Sequence, residues 1–382
     1  MKKSLSIFLL LSLVLMLVPV YASAATPTVT VAYDGKAIKF TQPPVRKANL
    51  TFVEAKPLSA QLGATYAFDS KSKSATIKKG STSIKLTVDS KAAYVNGVKQ
   101  ALAAAPYVVK GYVIVPAEIV VKSFGGAAAW DAKNSKLSIT SPAAVEAQSK
   151  QKAINVVKSY FASMSKQDLK ASKAAWLPSS WNEEDDEDLL LAFEEQAVIF
   201  TVNSANVTSF TSTQASIEVE VKIDYPSPYS IDEIYLITYK MVKDSAGAWK
   251  IKQENVEDYS YDLPSEPVAT TEAFASSVDA LVNQMTDNLN AEDLEALSGM
   301  FADDSTIADA MIDFWSYDFD EYDTRYTLSD LTIIGADEAK GTAKVLVSWD
   351  AEDEEYEYPY EAVLYLVQDA SKQWVIQEVV EL

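Results

Sequence analysis

Short segments near the beginning of the chain alternate hydrophobic and polar residues. Residues 29–33 and 38–41 have the period of two that is typical of half-buried strands, and the Asp-Gly pair at 34–35 favours a tight hairpin turn between them. Two later apolar segments, 58–62 and 119–124, have the spacing of short helices. This part of the chain is therefore predicted to contain short strands around two brief helices.

The same pattern occurs twice. Residues 33–77 recur without insertion or deletion as residues 95–139, and a duplicated unit of this length predicts one folded module over residues 25–140. Gly63 and its counterpart Gly125 suit the left-handed position that ends helices. Each copy is predicted to have the order ββαββ. Further matched pairs are Gly35 with Gly97, Pro44 with Pro106, Val53 with Val115 and Phe68 with Trp130.

The remainder of the chain has a longer repeat, formed by residues 146–263 and 268–382. Each copy begins with an amphipathic segment, at 154–164 and 278–289, whose apolar residues follow the helical period of 3.6. Helices followed by long strands predict α+β units, each with a curved antiparallel sheet wrapped on its helices. The alternating segments that predict these strands are 217–223, 234–242, 345–349 and 362–367.

Most positions of the two longer copies match at an offset of 125, so that Trp176 corresponds to Phe301. In the first long strand the best match shifts by one position, and Val221 corresponds to Val347. Large aromatic residues at such positions are expected to fill a core. Residues 141–144, Ser-Pro-Ala-Ala, are predicted to be a short linker before the first copy.

The first 24 residues have the three parts of a secretory signal peptide. Lysines at positions 2 and 3 precede an apolar stretch at 7–20, and the small residues at 22–24 form a cleavage site. The alternative, a transmembrane anchor, needs a longer apolar segment. Export is therefore predicted, with the mature protein soluble or held non-covalently at a surface, because no second apolar run follows.

The chain of 382 residues contains no cysteine and no histidine. An exported protein without disulfides depends on hydrophobic cores, and this length supports two or three of them. The two absences exclude nucleophile systems built on histidine or cysteine and the usual zinc, copper and haem sites. No cofactor is predicted.

Charge divides the chain into two unlike parts. Residues 25–145 contain 16 Lys and Arg against 6 Asp and Glu, a net charge of +10. Residues 146–382 contain 15 against 48, a net charge of −33. The two parts are therefore expected to have different partners.

A set of motifs in the duplicated module resembles a known family. Asp-Gly-Lys, Val-Asn-Gly-Val-Lys, Pro-Pro-Val, Val-Pro-Ala-Glu, Phe-Gly-Gly-Ala and Trp-Asp-Ala-Lys-Asn-Ser-Lys, within residues 28–140, resemble the copper amine oxidase N-terminal-like domain, also called the stalk domain. The resemblance implies a non-catalytic module that is common in exported proteins of Gram-positive bacteria. It implies no copper, since the ligands of the oxidase are histidines of another domain. Lys56 and Glu118 stand where the family often has arginine.

The order and size of residues 146–262 and 268–382 resemble the cone-shaped fold of the nuclear transport factor 2 superfamily. That resemblance implies a pocket in which a carboxylate and a tyrosine can perform acid–base chemistry. The 48 acidic residues of this part single out no base, and no nucleophile or metal motif accompanies them. Catalysis is therefore not predicted.

Two acidic clusters are candidates for calcium sites. The run at 183–188 lacks the alternate spacing and glycine of a calcium loop, and a solvated helix start explains it better. A second cluster is denser and interleaved with aromatic residues. Its weak calcium candidates are Asp318, Asp320, Glu321 and Asp323.

The lysines of the stalk domain are candidates for binding an anionic wall polymer through salt-sensitive attraction. The alternative is that they solubilise exposed strands and edges. Nucleic acid is not an expected partner, because export is predicted and basic residues do not interleave with aromatic ones. Lys85, Lys133 and Lys136 contribute to the same positive charge. The candidate residues are Lys36, Lys39, Arg46, Lys47, Lys71, Lys73, Lys78 and Lys79.

These patterns together predict an exported, multidomain α+β protein that is extracellular or associated with the cell wall. Its expected role is that of a non-catalytic cell-envelope scaffold or binding protein, with the stalk domain on the wall and the acidic copies facing outward. One alternative is small-ligand or glycan binding in the cone pockets. Another is a histidine-free acid–base enzyme in one cone.

Overall fold

The protein was analysed as a computed structural model, in which the chain divides into two compact units between Ser149 and Lys150. The signal peptide predicted for residues 1–24 lies outside the part of the chain that is described. Both acidic repeats belong to the second unit. The structure describes residues 28–195, 197–322, 324–352 and 357–382.

The first unit consists of short strands and two short helices, α1 (Ala55–Gln61) and α2 (Ala117–Ser123). Its described strands are β1 (Thr30–Tyr33), β2 (Lys36–Ala37), β3 (Val45–Lys47), β4 (Leu50–Glu54), β5 (Thr65–Asp69), β6 (Ser74–Lys79), β7 (Thr82–Thr87), β8 (Ala92–Val95), β9 (Val98–Ala101), β10 (Tyr107–Val109), β11 (Tyr112–Pro116), β12 (Ala127–Asp131) and β13 (Lys136–Thr140). They form sheets ordered β12-β13-β1-β2, β10-β11-β4-β3 and β5-β6-β7-β8-β9.

The two stalk repeats share their sheets. Strand β4 of the first repeat pairs antiparallel with β11 of the second, and the matched residues Val53 and Val115 lie directly opposite each other. Strand β1 pairs in parallel with β13, the last strand of the module. Each repeat therefore completes the sheets of the other, and the duplicated segment folds as one module.

The two helices of the module pack into a common core. Leu58, Val120 and Val121 are fully buried against the central strands. Gly63 and Gly125 follow the helices with φ values of +66° and +79°, as predicted, and only glycine adopts this left-handed conformation without strain.

One strand prediction in this module was wrong. Residues 38–41 do not form a strand, because the ladder of β2 ends at Ala37. The amide of Ile38 makes a last hydrogen bond to the carbonyl of Val31 at 2.8 Å. The chain then reaches two prolines, at 43 and 44, which have no N–H to donate to a sheet.

The linker predicted at residues 141–144 is instead a helix start. Helix α3 (Pro142–Met164) begins there, and the hydroxyl of Ser141 accepts a hydrogen bond from the amide of Ala144 at 3.1 Å. Serine before a proline at the first helical position is a favourable helix start. No helix of the described residues combines the length and apolar character needed to cross a bilayer.

Each acidic repeat has helices followed by a four-stranded antiparallel meander, so the predicted α+β class is confirmed. The first repeat contains the later part of α3, then α4 (Leu169–Ala175), α5 (Glu183–Glu195), β14 (Ile199–Phe210), β15 (Gln214–Asp224), β16 (Glu233–Lys243) and β17 (Trp249–Tyr261). The second contains α6 (Glu272–Asn290), α7 (Leu294–Ser298), α8 (Ala308–Glu321), β18 (Arg325–Asp337), β19 (Thr342–Glu352), β20 (Glu357–Gln368) and β21 (Trp374–Glu381).

Equivalent residues make the same local contacts within each of the two repeats. Asp168 and Asp293 cap α4 and α7 by accepting backbone hydrogen bonds, and Trp176 and Phe301 make equivalent β-bridges to the last strand of each sheet. The predicted correspondence of Trp176 with Phe301 is therefore confirmed.

The β-bulges show which residues of the long strands correspond between the two repeats. Strand β14 shifts register immediately after Val202, which lies opposite Val221 on β15. Strand β18 makes the same shift after Leu328, which lies opposite Trp349 on β19. Val221 therefore corresponds to Trp349, and the predicted match to Val347 is wrong. Bulges and hairpin lengths set this register, and the local hydrophobic pattern does not contain them.

The two repeats contact each other within the second unit. The loop between β15 and β16 places Tyr229 and Ile231 against Val363 and Tyr365 on the outer face of the second sheet. The hydroxyl of Tyr365 donates a hydrogen bond to the carbonyl oxygen of Ser230 at 2.9 Å. The part of the outer face around Val363 and Tyr365 is therefore covered by the first repeat.

Candidate functional site

The first acidic repeat has polar side chains at two positions where the second has buried hydrophobic ones. Tyr239 on β16 lies opposite Glu254 on β17, and the negative charge of that carboxylate acts on the tyrosine hydroxyl. The equivalent pair in the second repeat is Leu364 opposite Val379, and both of those side chains are buried. We call Tyr160, Tyr239, Glu254 and Asp185 the tyrosine–carboxylate cluster.

The tyrosines of the cluster are held by aromatic packing. The ring of Tyr160, on α3, lies 6.3 Å from the ring of Tyr239 and 5.9 Å from that of Trp176, centroid to centroid. Tyr239 is also packed on Phe161 at 5.9 Å. Burial raises the pKa of both Tyr160 and Tyr239 well above the usual value, so both hydroxyls keep their protons.

The Glu254 side chain is exposed to solvent, although protein atoms crowd around its carboxylate. Desolvation raises the pKa of Glu254, the nearby Tyr239 hydroxyl opposes that change, and the negative charge of Asp185 adds to it. None of the ion pairs among the described residues includes Glu254 or Asp185. The cluster therefore presents a negative charge that the described protein does not neutralise.

The acidic run at 183–188 begins helix α5, as predicted. Asp186 accepts hydrogen bonds from Trp181 Nε1 at 2.7 Å and from Lys173 Nζ at 2.6 Å, which fix the helix start against α4. The Lys173 ammonium is therefore paired with Asp186 and forms no ion pair with Glu254 or Asp185. Helix α5 places Asp185 near enough to Glu254 for the two charges to interact.

The third helix packs differently in the two repeats. In the second repeat, Trp315 on α8 is fully buried in the core, and Met311 lies beside it. In the first repeat, Leu190 and Leu191 on α5 are 47% and 57% exposed. The interior of the second repeat is therefore filled by its own helix, whereas α5 leaves leucine side chains in solvent.

The second repeat also has a tryptophan at its centre. Trp349 is fully buried, and its Nε1 donates a hydrogen bond to Thr286 Oγ1 at 2.9 Å. Its counterpart in the first repeat is Val221, a much smaller side chain. A filled interior of this kind favours a structural role for the second repeat.

The weak calcium candidates are not brought together as a site. Asp318 is buried and accepts a hydrogen bond from the Tyr326 hydroxyl at 2.9 Å. Asp320 and Glu321 are exposed, and Asp323 lies outside the described residues. Across the described ranges, no group of three or more acidic side chains is placed to hold a metal ion.

The polymer-binding candidates are spread over the stalk domain. Arg46 donates a hydrogen bond to Glu118, and Lys79 Nζ donates one to the carbonyl of Leu62 at 2.8 Å, so both side chains have internal partners. The structure does not gather the eight residues in one sheet. Lys36 is on β2, Lys39 on the loop after it, Arg46 and Lys47 on β3, Lys71 and Lys73 in the turn between β5 and β6, and Lys78 and Lys79 on β6.

Sequence reasoning did not single out Tyr239 and Glu254. The signal was present, because both residues are polar while their counterparts 125 residues later are Leu364 and Val379. A search of the repeat for polar residues matched to hydrophobic ones would have found the pair among the many acidic residues.

A comparison with protein families matches part of the first unit. Residues 32–139 match the family model described as the copper amine oxidase N-terminal domain. No curated protein matches the chain. The match falls within the first unit and agrees with the resemblance that the motifs of the duplicated module carry.

Two solved structures also match, at low identity. One is titled "Ntf2 like protein involved in plasmid conjugation", with 10% identity and a TM-score of 0.26, over 59% of this chain and 94% of that one. The other is titled "Structure of Bdellovibrio bacteriovorus Bd1075", with 8% identity and a TM-score of 0.28, over 49% of this chain and 78% of that one.

Proposed function

We propose that this protein is an exported, non-catalytic binding protein of the cell envelope, in which the first acidic repeat binds a small ligand and the second supports it. The observation that carries the proposal is the Tyr239–Glu254 pair, at a place where the second repeat has Leu364 and Val379. Tyr239 is buried, its carboxylate neighbour Glu254 is exposed to solvent, and the second repeat shows that the fold does without either polar group.

The charge of the cluster favours a ligand with a cationic group. Glu254 and Asp185 repel each other, and each lacks an ion-pair partner among the described residues. An ammonium group placed between them would relieve this repulsion, while the neighbouring aromatic rings would contact its apolar part. The ligand class supported best is therefore a small organic amine.

Several features support binding over catalysis. Tyr160 and Tyr239 hold their protons tightly, so neither serves as a base near neutral pH. Glu254 is then the group of the cluster that can exchange a proton, and the chain has no histidine or cysteine to act as its catalytic partner. Acid–base chemistry of this kind needs a pair of groups with opposite roles.

Ligand binding can be tested by titrating the mature chain with spermidine and choline, using tryptophan fluorescence and calorimetry. Trp176 and Trp181 lie beside the cluster and report on it. We expect saturable binding that weakens at least about tenfold in Glu254→Gln, because one charge contact is worth this much. Glu257→Gln, which removes the same charge from the same strand, is the matched control. Equal affinity in Glu254→Gln, or no binding of either amine, would refute the ligand class.

Localisation needs a separate experiment. Cells that produce the full chain would be separated into medium, wall and membrane fractions, each washed with low and high salt. Export with attachment to the envelope predicts a shortened chain in the wall fraction that high salt releases. Recovery of the uncleaved chain inside cells would contradict export.

A further inference from the structure

The outer face of the five-stranded sheet in the stalk domain carries an ordered row of exposed side chains. Lys85 on β7 lies directly opposite Tyr94 on β8, and Tyr94 lies directly opposite Lys99 on β9. Thr76 on β6 continues the row on the other side of Lys85. Directly opposed side chains on neighbouring strands are about 5 Å apart at Cβ. We call Lys85, Tyr94 and Lys99 the lysine–tyrosine strip.

The strip is open to solvent and positively charged. Tyr94 is 40% exposed, and both lysines are exposed on either side of it. No ion pair among the described residues uses Lys85 or Lys99. The strip therefore offers two ammonium groups outside ion pairs, with an aromatic ring between them, on a part of the sheet face that is open to solvent. Asp69 lies near enough to Lys85 to interact with its charge.

Edge protection does not account for this arrangement. Lysines are common on edge strands, where they prevent pairing with another chain, and β9 is such an edge. Strand β7, however, is the central strand of the five, paired on both sides. Lys85 therefore protects no edge, and its place beside Tyr94 calls for another explanation.

We propose that the lysine–tyrosine strip is a docking site for an anionic polysaccharide. The ring of Tyr94 would pack on the apolar face of a sugar ring, and Lys85 and Lys99 would contact acidic groups on the units either side. Lys78, exposed on the same sheet face beside the row, would extend the positive surface. The domain as a whole carries a net charge of +10, which complements such a polymer.

This inference rests on the proposed attachment of the protein to the envelope, and it names the residues and the polymer chemistry. It also moves the site away from most of the lysines that the sequence suggested. Lys78 and Lys85 are shared with the lysines that the sequence suggested, whereas Tyr94 and Lys99 join them through strand pairing. A mixture of charge and aromatic surface distinguishes the strip from a merely basic domain.

The test is calorimetry of the mature chain with polygalacturonate, an acidic polysaccharide, and with poly-L-glutamate, which has the charge without sugar rings. The variants are Lys85→Gln/Lys99→Gln and Tyr94→Thr, and the matched control is Lys36→Gln/Lys39→Gln, which removes the same charge from another part of the domain. Threonine and glutamine keep the strands in place at exposed positions, and circular dichroism checks the fold.

We expect polygalacturonate affinity to fall at least tenfold in the strip double variant and by less than twofold in the control. We expect Tyr94→Thr to weaken polygalacturonate at least threefold and to leave poly-L-glutamate unchanged. Equal losses in the two double variants, or no effect of Tyr94→Thr on polygalacturonate, would overturn the proposal. If the chain binds polygalacturonate through the strip but is not retained by cell walls, the proposed attachment to the envelope is rejected. The proposal that the strip binds an anionic polysaccharide is then still supported.

Discussion

The guanidinium of Arg46 joins the two stalk repeats by lying 2.6 Å from the carboxylate of Glu118 and 4.4 Å from the ring centroid of Trp130. Arg46 belongs to the first repeat, and its two partners belong to the second. The same carboxylate accepts a hydrogen bond from the backbone amide of Thr51 at 2.9 Å. Glu118, one of the positions that departs from the family's frequent arginine, is therefore paired with an arginine from the other repeat.

This contact predicts that the stalk domain loses stability when either charged partner is removed. Arg46→Ala and Glu118→Ala should each lower the free energy of unfolding by about 1–3 kcal/mol, from a charged hydrogen bond and, for Arg46, the aromatic contact. Urea unfolding of the stalk domain measures the change. Lys47→Ala, at the exposed neighbouring position, should change it little. Additive losses in the double variant would show that the pair is not coupled.

The raised pKa of Glu254 predicts how stability depends on pH. Because the folded protein binds this proton more tightly than the unfolded chain, the stabilising contribution is complete at low pH and is lost as pH rises through the folded pKa. Glutamine does not ionise, so Glu254→Gln keeps its stability as pH rises. The free energy of unfolding of Glu254→Gln minus that of the native protein should therefore be larger at pH 7 than at pH 4.

Urea unfolding of native protein, Glu254→Gln and Glu257→Gln at the two pH values measures this difference. A difference between native protein and Glu254→Gln that stays constant with pH would contradict the raised pKa.

The contact between the acidic repeats predicts that they unfold together. Ile231→Asp would place a charge in the cluster formed with Val363 and Tyr365, and should cost about 2–4 kcal/mol. Tyr365→Phe, which loses the hydrogen bond to Ser230, should cost about 1 kcal/mol. Lys240→Ala, at the exposed position equivalent to Tyr365, is the control.

Thermal unfolding followed by circular dichroism would measure these effects. An unchanged melting profile for Ile231→Asp would show that the two repeats do not support each other.

The hydrogen bond between Asp318 and Tyr326 predicts that the acidic cluster on α8 is structural. Tyr326→Phe should cost about 1–3 kcal/mol, because it leaves a buried carboxyl group without its partner. Millimolar calcium should leave the melting temperature unchanged, since Asp318 faces the protein and Asp320 is exposed. Asp313→Asn, an exposed change on the same helix, is the control. A calcium-dependent rise in melting temperature that disappears in Asp318→Asn would contradict this.

The sequence by itself determined the repeats, the fold class, the glycines that end the stalk helices and the separation of basic and acidic units. These features depend on period, charge and local backbone preference, which neighbouring residues carry. Matched motifs also sufficed to indicate the stalk domain, and the family match over residues 32–139 agrees with them.

Tertiary structure alone decided which residues meet. The pairing of Val53 with Val115, the place of Tyr239 beside Glu254 and the row through Lys85, Tyr94 and Lys99 depend on strand register. Register is set by bulges, hairpin lengths and the exchange of strands between repeats, and a shift of one residue turns every side chain to the other face. For that reason the sequence indicated many carboxylates and lysines, and the fold selected those that form a site.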